Sequence, residues 1–406
     1  MRHSTSLFSQ VLSVISRVRF AALARLHQSN RHAKGFTSWD QLVAMLFCQL
    51  AQAKSLREIS QGLRTCLGKL SHLGVRAAPK KSTLSYANAH RPWELFRDTF
   101  YEVLGTCREA APGKKKRFRF KNRLLSLDAT VIDLCGSIFD WARFTRSKGA
   151  VKLHLLLDHD GYLPVFAHIT EGREHEIKTA RMLRLPQDAI VVIDRGYTDY
   201  GLFEAWSRAG VWFVTRMKRN AAYRVLESRR VPQNRGILSD QLIRFTGAEA
   251  SRDCPRVLRR VAVWDTENLR PIVLLTNHLD FGATTIAAIY KDRWQIELLF
   301  KALKQHLRVK TFVGTSPNAL RIQLPAALIA MLLLKYMQFL AKRAWSLSTL
   351  VALLRLNLFS NRDLWQWLDD PFNTPPEPGN LRQLPLPFLD SSWPPKATNA
   401  RGGGLV

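Results

Sequence analysis

The chain has 406 residues, of which 46% are hydrophobic and 23% charged, so it can bury a core and is not a wholly disordered protein. Its 61 Lys and Arg against 32 Asp and Glu give a formal net charge of +29. Such a charge favours a polyanionic partner, with nucleic acid ahead of an anionic membrane. The longest apolar stretch, Leu324 to Leu334, is too short for a bilayer span, so no membrane is expected. Five scattered cysteines without a CxxC pair predict reduced thiols in the cytoplasm.

Residues 1–106 are predicted to form a helical N-terminal domain. Helices are expected after Ser38 and ending near Leu50, after Ser55 in a capping-box pattern with Glu58, after Ser82 as a further candidate cap, and from Trp93 to Leu104. Short helices with basic residues between them are compatible with a helix-turn-helix that binds DNA ends. A plain packing or dimerisation domain is the alternative, and the pattern leaves both open.

Residues 107–123 are predicted to form a basic linker. Its stretch from Gly113 to Arg123 carries seven basic residues in eleven. A solvated connection between domains and a segment that contacts phosphates are equally compatible with this composition.

From residue 124 the hydrophobic periodicity changes to that of strands alternating with helices. Two strands are joined by the turn signal His159-Asp160-Gly161. In chain order, the predicted elements are strands Leu124–Leu134, Val151–Leu157 and Leu163–Ile169, helix Glu174–Leu185, strand Ala189–Ile193, helix Asp199–Arg208 and strand Val211–Thr215. The order β-β-β-α-β-α-β predicts a mixed sheet with helices on its faces.

Residues 220–283 contain strand-like pieces without helices between them and are predicted to form a β-rich insertion. Helical periodicity then runs from Thr284 to about Leu307, and a second helix begins at Ser316-Pro317 and ends near Trp345. The predicted catalytic domain is therefore discontinuous, with residues 124–219 and 284–345. Residues 346–370 are predicted to be a C-terminal helical region. Residues 371–406 hold eight of the eighteen prolines and are predicted to be disordered.

Three acidic residues occupy positions that, taken together, are poorly explained by a purely structural role. Asp128 lies in the middle of an alternating strand, where aspartate is unfavourable and an unpaired buried charge is costly. Asp194 ends the apolar strand AIVVI, and ligand sites form at such strand ends. Glu297 belongs to the helix YKDRWQIELLFKALK. Each residue alone has an ordinary structural explanation, such as a turn cap, an exposed edge position or a solvated helix face.

The helix around Glu297 and the segment after Asp194 strengthen the combination. Spacings of three and four residues place one acid, a tyrosine and basic side chains on one helical face, namely Tyr290, Arg293, Glu297, Lys301 and Lys304. Arginine and lysine bind phosphate, and glutamate binds metal ions. Gly196 follows Asp194 by two residues, where the backbone turns tightly or a ligand approaches closely.

These motifs resemble those of bacterial insertion-sequence DDE transposases of the YREK branch. The signature Y-x2-R-x3-E-x6-K is matched by Tyr290, Arg293, Glu297 and Lys304, and D-x-G-x3-Y/F is matched by Asp194, Gly196 and Tyr200. Asp128 matches the first acid, Trp294 follows the signature arginine, and the N-terminal segments resemble a small helical domain attached to such transposases. The resemblance covers residues 5–360 and leaves the Pro-rich tail unmatched.

The resemblance implies an α/β ribonuclease-H-like fold, with a mixed sheet, helices on both faces and a β-rich insertion. It implies that Asp128, Asp194 and Glu297 hold two Mg²⁺ ions, or Mn²⁺ as a substitute, and catalyse phosphodiester hydrolysis and strand transfer. Tyr290, Arg293 and Lys304 would then bind DNA phosphates, and Gly196, Tyr200, Trp294 and Lys301 would support the site. Lys301 lies outside the signature.

The expected partners are the inverted-repeat DNA at the transposon end and the target DNA, with a homodimer in the end-paired complex. The expected location is the bacterial cytoplasm, in association with the nucleoid. Two alternatives stay open, a two-metal nuclease that cuts without joining and a non-catalytic DNA-binding descendant of a transposase. An RNA-binding protein is less favoured, because no RRM-type stacking motif is present.

Overall fold

The structure of the protein is a computed structural model that describes residues 5–66, 68–111, 117–135, 148–309 and 311–376. The predicted Pro-rich tail lies outside the described residues from residue 377 onward. The described ranges contain helices at both ends of the chain and one mixed β-sheet between them.

The N-terminal region is helical, as predicted. Its helices are α1 (Leu7–Leu12), α2 (Arg17–Leu26), α3 (Ser38–Leu50), α4 (Leu56–Arg64), α5 (Lys81–His90) and α6 (Glu94–Ala110), with a 3-10 turn at Ser71–Leu73. The Ser55 side chain caps α4, as predicted. Thr37 rather than Ser38 caps α3, in a reciprocal capping box with Asp40, and α5 begins at Lys81 without a side-chain cap from Ser82.

Within the described residues, nine strands form one sheet in the order β3-β2-β1-β4-β5-β9-β8-β7-β6. They are β1 (Leu124–Cys135), β2 (Lys148–Asp158), β3 (Leu163–Glu171), β4 (Ile190–Ile193), β5 (Trp212–Arg216), β6 (Tyr223–Ser228), β7 (Ile237–Phe245), β8 (Leu258–Asp265) and β9 (Arg270–Thr276). Along the chain, α7 (Glu176–Met182) connects β3 to β4, α8 (Tyr200–Arg208) connects β4 to β5, and α9 (Ala248–Asp253) connects β7 to β8. The predicted order β-β-β-α-β-α-β is confirmed.

Pairing in the sheet follows the connections. β1 is antiparallel to β2 and parallel to β4, and β4 is parallel to β5. β9 pairs antiparallel with β5, so the strands between residues 220 and 283 continue the central sheet. Side chains alternate between the two faces of β1. Leu125 and Leu127 pack against α7 and α8, so Ser126 and Asp128 point toward the opposite face.

The opposite face is covered by α10 (Ala283–Asp292), α11 (Trp294–His306) and α12 (Pro317–Leu340). The helix predicted from Thr284 to Leu307 is divided at Arg293. The Arg293 backbone N–H donates to the Tyr290 carbonyl, and the Ile296 backbone N–H donates to the Arg293 carbonyl. Hydrogen bonds between residues three apart are those of a 3-10 helix, so the helix is locally tighter here. Helix α12 begins at Ser316-Pro317, as predicted, but ends at Leu340 instead of Trp345. Helices α13 (Leu347–Asn357) and α14 (Leu364–Asp369) follow.

Helix α12 packs against both the N-terminal helices and α11. Residues of α3, α5, α6 and α12 belong to one continuous apolar core, which also includes one face of β2 and the buried apolar face of α11. By length and composition α12 could cross a membrane, but 83% of its most apolar window is buried inside the protein. It is the central core helix, and the N-terminal helices are packed on it.

Candidate active site

Asp128 and Glu297 are brought together by Arg293. The Arg293 Nη1 lies 3.1 Å from Asp128 Oδ2, and its Nη2 lies 2.5 Å from Glu297 Oε1. The break between α10 and α11 places Arg293 at this point, one helical turn before Glu297. Carboxylates from β1 and α11, which are distant in the sequence, therefore share one cation.

Asp194 lies at the same site, at the end of β4 next to β1. The pKa of Asp128 is raised to about 6, chiefly by burial and also by the charges of Asp194 and Glu297. The hydrogen bond from the Ala129 N–H and the charge of Arg293 partly oppose this shift. The same acids act on Arg293. Burial lowers the Arg293 pKa, but the charges of Tyr290, Asp128 and Glu297 outweigh burial and hold it above its usual value. The three acids thus share one electrostatic environment.

The turn after Asp194 is a 3-10 turn, Arg195–Tyr197. A Cβ at Gly196 would lie 3.3 Å from Glu176 Oε2, a close contact from which the Glu176 side chain would have to move. Tyr200 turns into the apolar core, where its ring packs against Phe245 at 4.9 Å. Gly196 thus lies in the turn directly after Asp194, and Tyr200 packs against the core behind that turn; their supporting role stays a prediction.

Tyr290 and Lys304 flank the acids. Tyr290 is 9% exposed and the Arg293 guanidinium lies 5.8 Å from its ring centroid. Burial raises the Tyr290 pKa, and the charge of Asp194 raises it further. The Lys304 Nζ donates to the Val131 carbonyl at 3.0 Å, which joins α11 to β1 beyond Asp128. Tyr290 thus lies beside Arg293, and Lys304 contacts β1 three residues beyond Asp128.

Trp294 is 56% exposed and lines a cleft of about 800 Å³ together with Tyr290, Arg293 and Trp264. Lys301 is exposed on α11 and makes no hydrogen bond or ion pair with the residues that the structure describes. Trp294 thus faces the space in front of the signature residues, whereas nothing described joins Lys301 to them.

Within the described residues, no group of three His, Cys, Asp or Glu side chains is arranged closely enough to hold a metal ion. The donors nevertheless fit a divalent cation. Carboxylate oxygens are the ligands that Mg²⁺ and Mn²⁺ prefer. The Arg293 guanidinium lies between Asp128 and Glu297 and provides the positive charge that the two carboxylates require.

Sequence reasoning missed a second, smaller cleft of about 220 Å³ beside the site. It is lined by six cationic residues and, among the described residues, by no carboxylate: Arg195, Arg216, Lys218, Arg219, Arg260 and Arg270. Arg216, Arg270 and Ile272 also line the larger cleft, so the two are continuous. Arg195, Arg216, Arg260 and Arg270 come from the turn after β4 and from β5, β8 and β9, and Lys218 and Arg219 come from the loop after β5. The sheet order brings these distant segments together.

Two further polar side chains near the acids were also missed. Glu176 pairs with Lys152 at 3.3 Å. The Tyr197 hydroxyl is buried without a hydrogen-bond partner among the described residues. Burial raises the Tyr197 pKa, and the charges of Asp128, Glu176 and Asp194 raise it further. The segment REHEI around Glu176 shows acidic residues at the start of a helix, a signal that is too common to identify a site.

Comparison with known proteins assigns the chain. Residues 119–333 match the family described as Transposase DDE domain, and residues 3–76 match a domain of unknown function (DUF4372). A transposase of Sinorhizobium fredii is 33% identical over 291 residues, which cover 71% of this chain and 80% of that protein. The transposase of insertion sequence element IS5377 from Geobacillus stearothermophilus is 28% identical, over 66% of this chain and 70% of that protein.

Among solved structures, the piggyBac transposase synaptic complex with hairpin DNA matches with a TM-score of 0.39 and 11% identity, over 91% of this chain and 81% of that chain. A likeness at that level adds nothing to the assignment. The domain match covers more than half of the chain and includes Asp128, Asp194 and Glu297. The chain therefore belongs to the DDE transposases, the enzymes that cleave and transfer DNA strands in transposition.

Proposed function

We propose that Asp128, Asp194 and Glu297 are the three catalytic acids of this transposase and hold two divalent cations. The observation that carries the proposal is the contact of Arg293 with both Asp128 and Glu297, which joins β1 to α11. The Arg293 side chain is 14% exposed and the Asp128 side chain 19%. The influence of the Asp194 charge on the Asp128 pKa supports the third member. We further propose a ribonuclease-H-like core of the YREK branch, in which β6–β9 form the insertion.

When bound, the cations supply activation of the attacking oxygen and stabilisation of the leaving oxygen. The chain itself positions the DNA. If cations were bound to Asp128 and Glu297, the Arg293 guanidinium would offer two parallel N–H donors to a phosphate, and Lys304 would add a point charge from α11. Tyr290, held beside Arg293, contributes a hydroxyl donor. Trp294 offers an exposed aromatic surface to a nucleotide next to the cleaved bond.

The substrate is the inverted-repeat DNA at the transposon end, followed by target DNA. The cationic cleft, defined by Arg195, Arg216, Lys218, Arg219, Arg260 and Arg270, supports this choice, because clustered cations without carboxylates bind a phosphate backbone. We propose that two copies of the chain pair two ends, and that the enzyme acts on the chromosome in the bacterial cytoplasm. Mg²⁺ is the proposed cation and Mn²⁺ its substitute.

The test is strand cleavage of a plasmid that carries the gene with its natural flanking DNA, in Mg²⁺. We expect Asp128→Asn, Asp194→Asn and Glu297→Gln each to lower the cleavage rate by about 10³-fold or more, because each variant removes a negatively charged ligand of the proposed cations. DNA affinity measured in EDTA should stay within about twofold of wild type, since the phosphate-binding cations are retained.

The matched control is Glu249→Gln, which removes a carboxylate from an exposed position of α9 and should leave cleavage unchanged. Wild-type cleavage by any one of the three variants would remove that residue from the proposed site. Cleavage without strand transfer would favour the nuclease, and tight binding without cleavage would favour the non-catalytic DNA-binding protein.

A further inference from the structure

Four side chains on the α10–α11 side of the sheet form a continuous hydrogen-bonded chain. The Ser126 Oγ lies 2.7 Å from His159 Nε2, and His159 Nδ1 lies 2.6 Å from Asp292 Oδ2. The other Asp292 oxygen accepts from Arg117 of the basic linker. Sequence reasoning assigned no role to His159 beyond a turn signal and none to Ser126 or Asp292.

The connectivity is that of a Ser-His-Asp triad, but its burial excludes nucleophilic chemistry. Ser126 is 0% exposed, so no substrate reaches its hydroxyl. The side chains of His159 and Asp292 are 6% and 0% exposed. Because a carboxylate oxygen only accepts, the proton of the His159–Asp292 bond belongs to Nδ1, and Nε2 is left to pair with the Ser126 hydroxyl. Ser126, His159 and Asp292 are therefore buried and hydrogen-bonded one to the next, and together they form a structural tie.

The two ends of the tie lie beside two proposed catalytic elements. Ser126 precedes Asp128 by two residues and points to the same face of β1. Asp292 immediately precedes Arg293, at the break between α10 and α11. His159 lies in the turn after β2 and contacts both residues through its ring. The backbone N–H of His159 donates to the Leu124 carbonyl of β1 at 3.0 Å. The tie therefore crosses directly from the strand of Asp128 to the helix break that presents Arg293 and Glu297.

We propose that His159 is a positioning residue that fixes the α10–α11 break, and with it Arg293 and Glu297, relative to Asp128. This inference rests on the proposed function of those three residues. Displacements of about 1 Å in a catalytic group can lower rates about 100-fold. Partners behind metal-binding carboxylates commonly contribute 10- to 100-fold to activity. A tie that holds two such elements in register belongs to this class of contribution.

The deciding variant is His159→Phe, which keeps a ring of similar size and removes both hydrogen bonds. We expect plasmid cleavage under single-turnover conditions to slow by about 10- to 100-fold. The affinity for a nonspecific 30-base-pair duplex in EDTA should stay within about twofold, because no phosphate-binding cation is removed. Amide hydrogen exchange of residues 290–297 should become faster, while exchange in α8 stays unchanged.

Two companion variants separate positioning from general loss of stability. His159→Gln retains one donor and one acceptor and should cleave about tenfold faster than His159→Phe. His154→Phe removes a histidine that is 0% exposed on β2, whose Nε2 contacts Thr170 Oγ1 at 2.9 Å on the other face of the sheet. It should lower the melting temperature and leave both cleavage and exchange at residues 290–297 unchanged.

The inference is overturned if His159→Phe cleaves at the wild-type rate, if His154→Phe slows cleavage equally, or if exchange at residues 290–297 does not change. The exchange measurement needs no cleavage. If wild type itself fails to cut, the proposed function fails, and the exchange data still decide whether His159 fixes the helix break.

Discussion

Helices α11 and α12 share one apolar core, yet the segments to which they belong differ in continuity. Helix α12 runs for 24 residues with Pro325 inside it. The segment from Ala283 to His306 contains neither proline nor glycine, and it breaks at Arg293. Local propensity alone favours the opposite outcome, because proline in a helix interior removes a hydrogen bond and clashes with the preceding turn.

The difference follows from what each segment buries. In α12, nearly every residue from Ala319 to Leu334 is buried and apolar, so packing outweighs the local defect. At the break, the buried Asp292 is followed by Arg293, whose side chain is only 14% exposed, and the bonds of the two side chains point in different directions. Asp292 contacts Arg117 and His159, whereas Arg293 contacts Asp128 and Glu297. Apolar packing keeps a helix continuous, and buried charges with fixed partners bend it where the site needs a side chain.

The largest stability effect should therefore come from α12. Leu334→Ala removes a fully buried side chain and should lower the free energy of unfolding by about 3 kcal/mol, through lost transfer energy and a residual cavity. Urea unfolding measures the loss. Below the transition, cleavage per folded molecule should equal that of wild type.

The matched control for Leu334→Ala is Leu298→Ala in α11, where the side chain is 42% exposed. It should change the free energy of unfolding by less than about 0.5 kcal/mol. An equal loss in both variants would mean that α11 depends on apolar packing as much as α12, and the contrast between the segments would disappear.

The acids beside the break should have the opposite effect on stability. Burial raises the pKa of Asp128 from 3.8 to about 6, so between those pH values the folded chain keeps a proton that the unfolded chain has lost. The stability contributed by this group falls as pH rises through that window and stays low above it. Asp128→Asn should therefore stabilise the metal-free protein by about 2 kcal/mol at pH 7.5 and have almost no effect at pH 4.

Thermal unfolding in EDTA at the two pH values tests this, with Asp133→Asn as the control at an exposed position of the same strand. A variant less stable than wild type at pH 7.5 would mean that the ion pair with Arg293 outweighs the burial of Asp128. The candidate site would then stabilise the fold, instead of being held at the expense of stability.

Much of this organisation follows from periodicity. Alternation along β1, the apolar strand before Asp194 and the changing order of strands and helices predict the central sheet. The spacing of Tyr290, Arg293, Glu297 and Lys304 predicts one face, and Arg293 does contact Glu297. The helix start at Ser316-Pro317 follows from local capping rules alone. These features depend on residues within one or two turns of one another.

The features that could not be predicted depend on partners distant in the sequence. The break at Arg293 is fixed by Asp128, Arg117 and His159, which are between 133 and 175 positions away. The continuity of β6–β9 with the central sheet depends on the pairing of β5 with β9. The core shared by α12 and the N-terminal helices depends on surfaces that no periodicity assigns to each other.

The smallest expected effect concerns the proline itself. Pro325→Ala supplies an N–H that can donate to the Arg321 carbonyl and removes the clash of the ring with that turn. Against this gain stand the lost packing of a buried ring and a more flexible unfolded chain, which alone contributes about 0.4–1 kcal/mol. We expect a net stabilisation of about 1 kcal/mol in urea unfolding. Pro317→Ala is the control at the first helical position, where no N–H is needed, and should destabilise slightly. If Pro325→Ala destabilises the protein as well, the ring is a required part of the core, and α12 is continuous because of its proline instead of in spite of it.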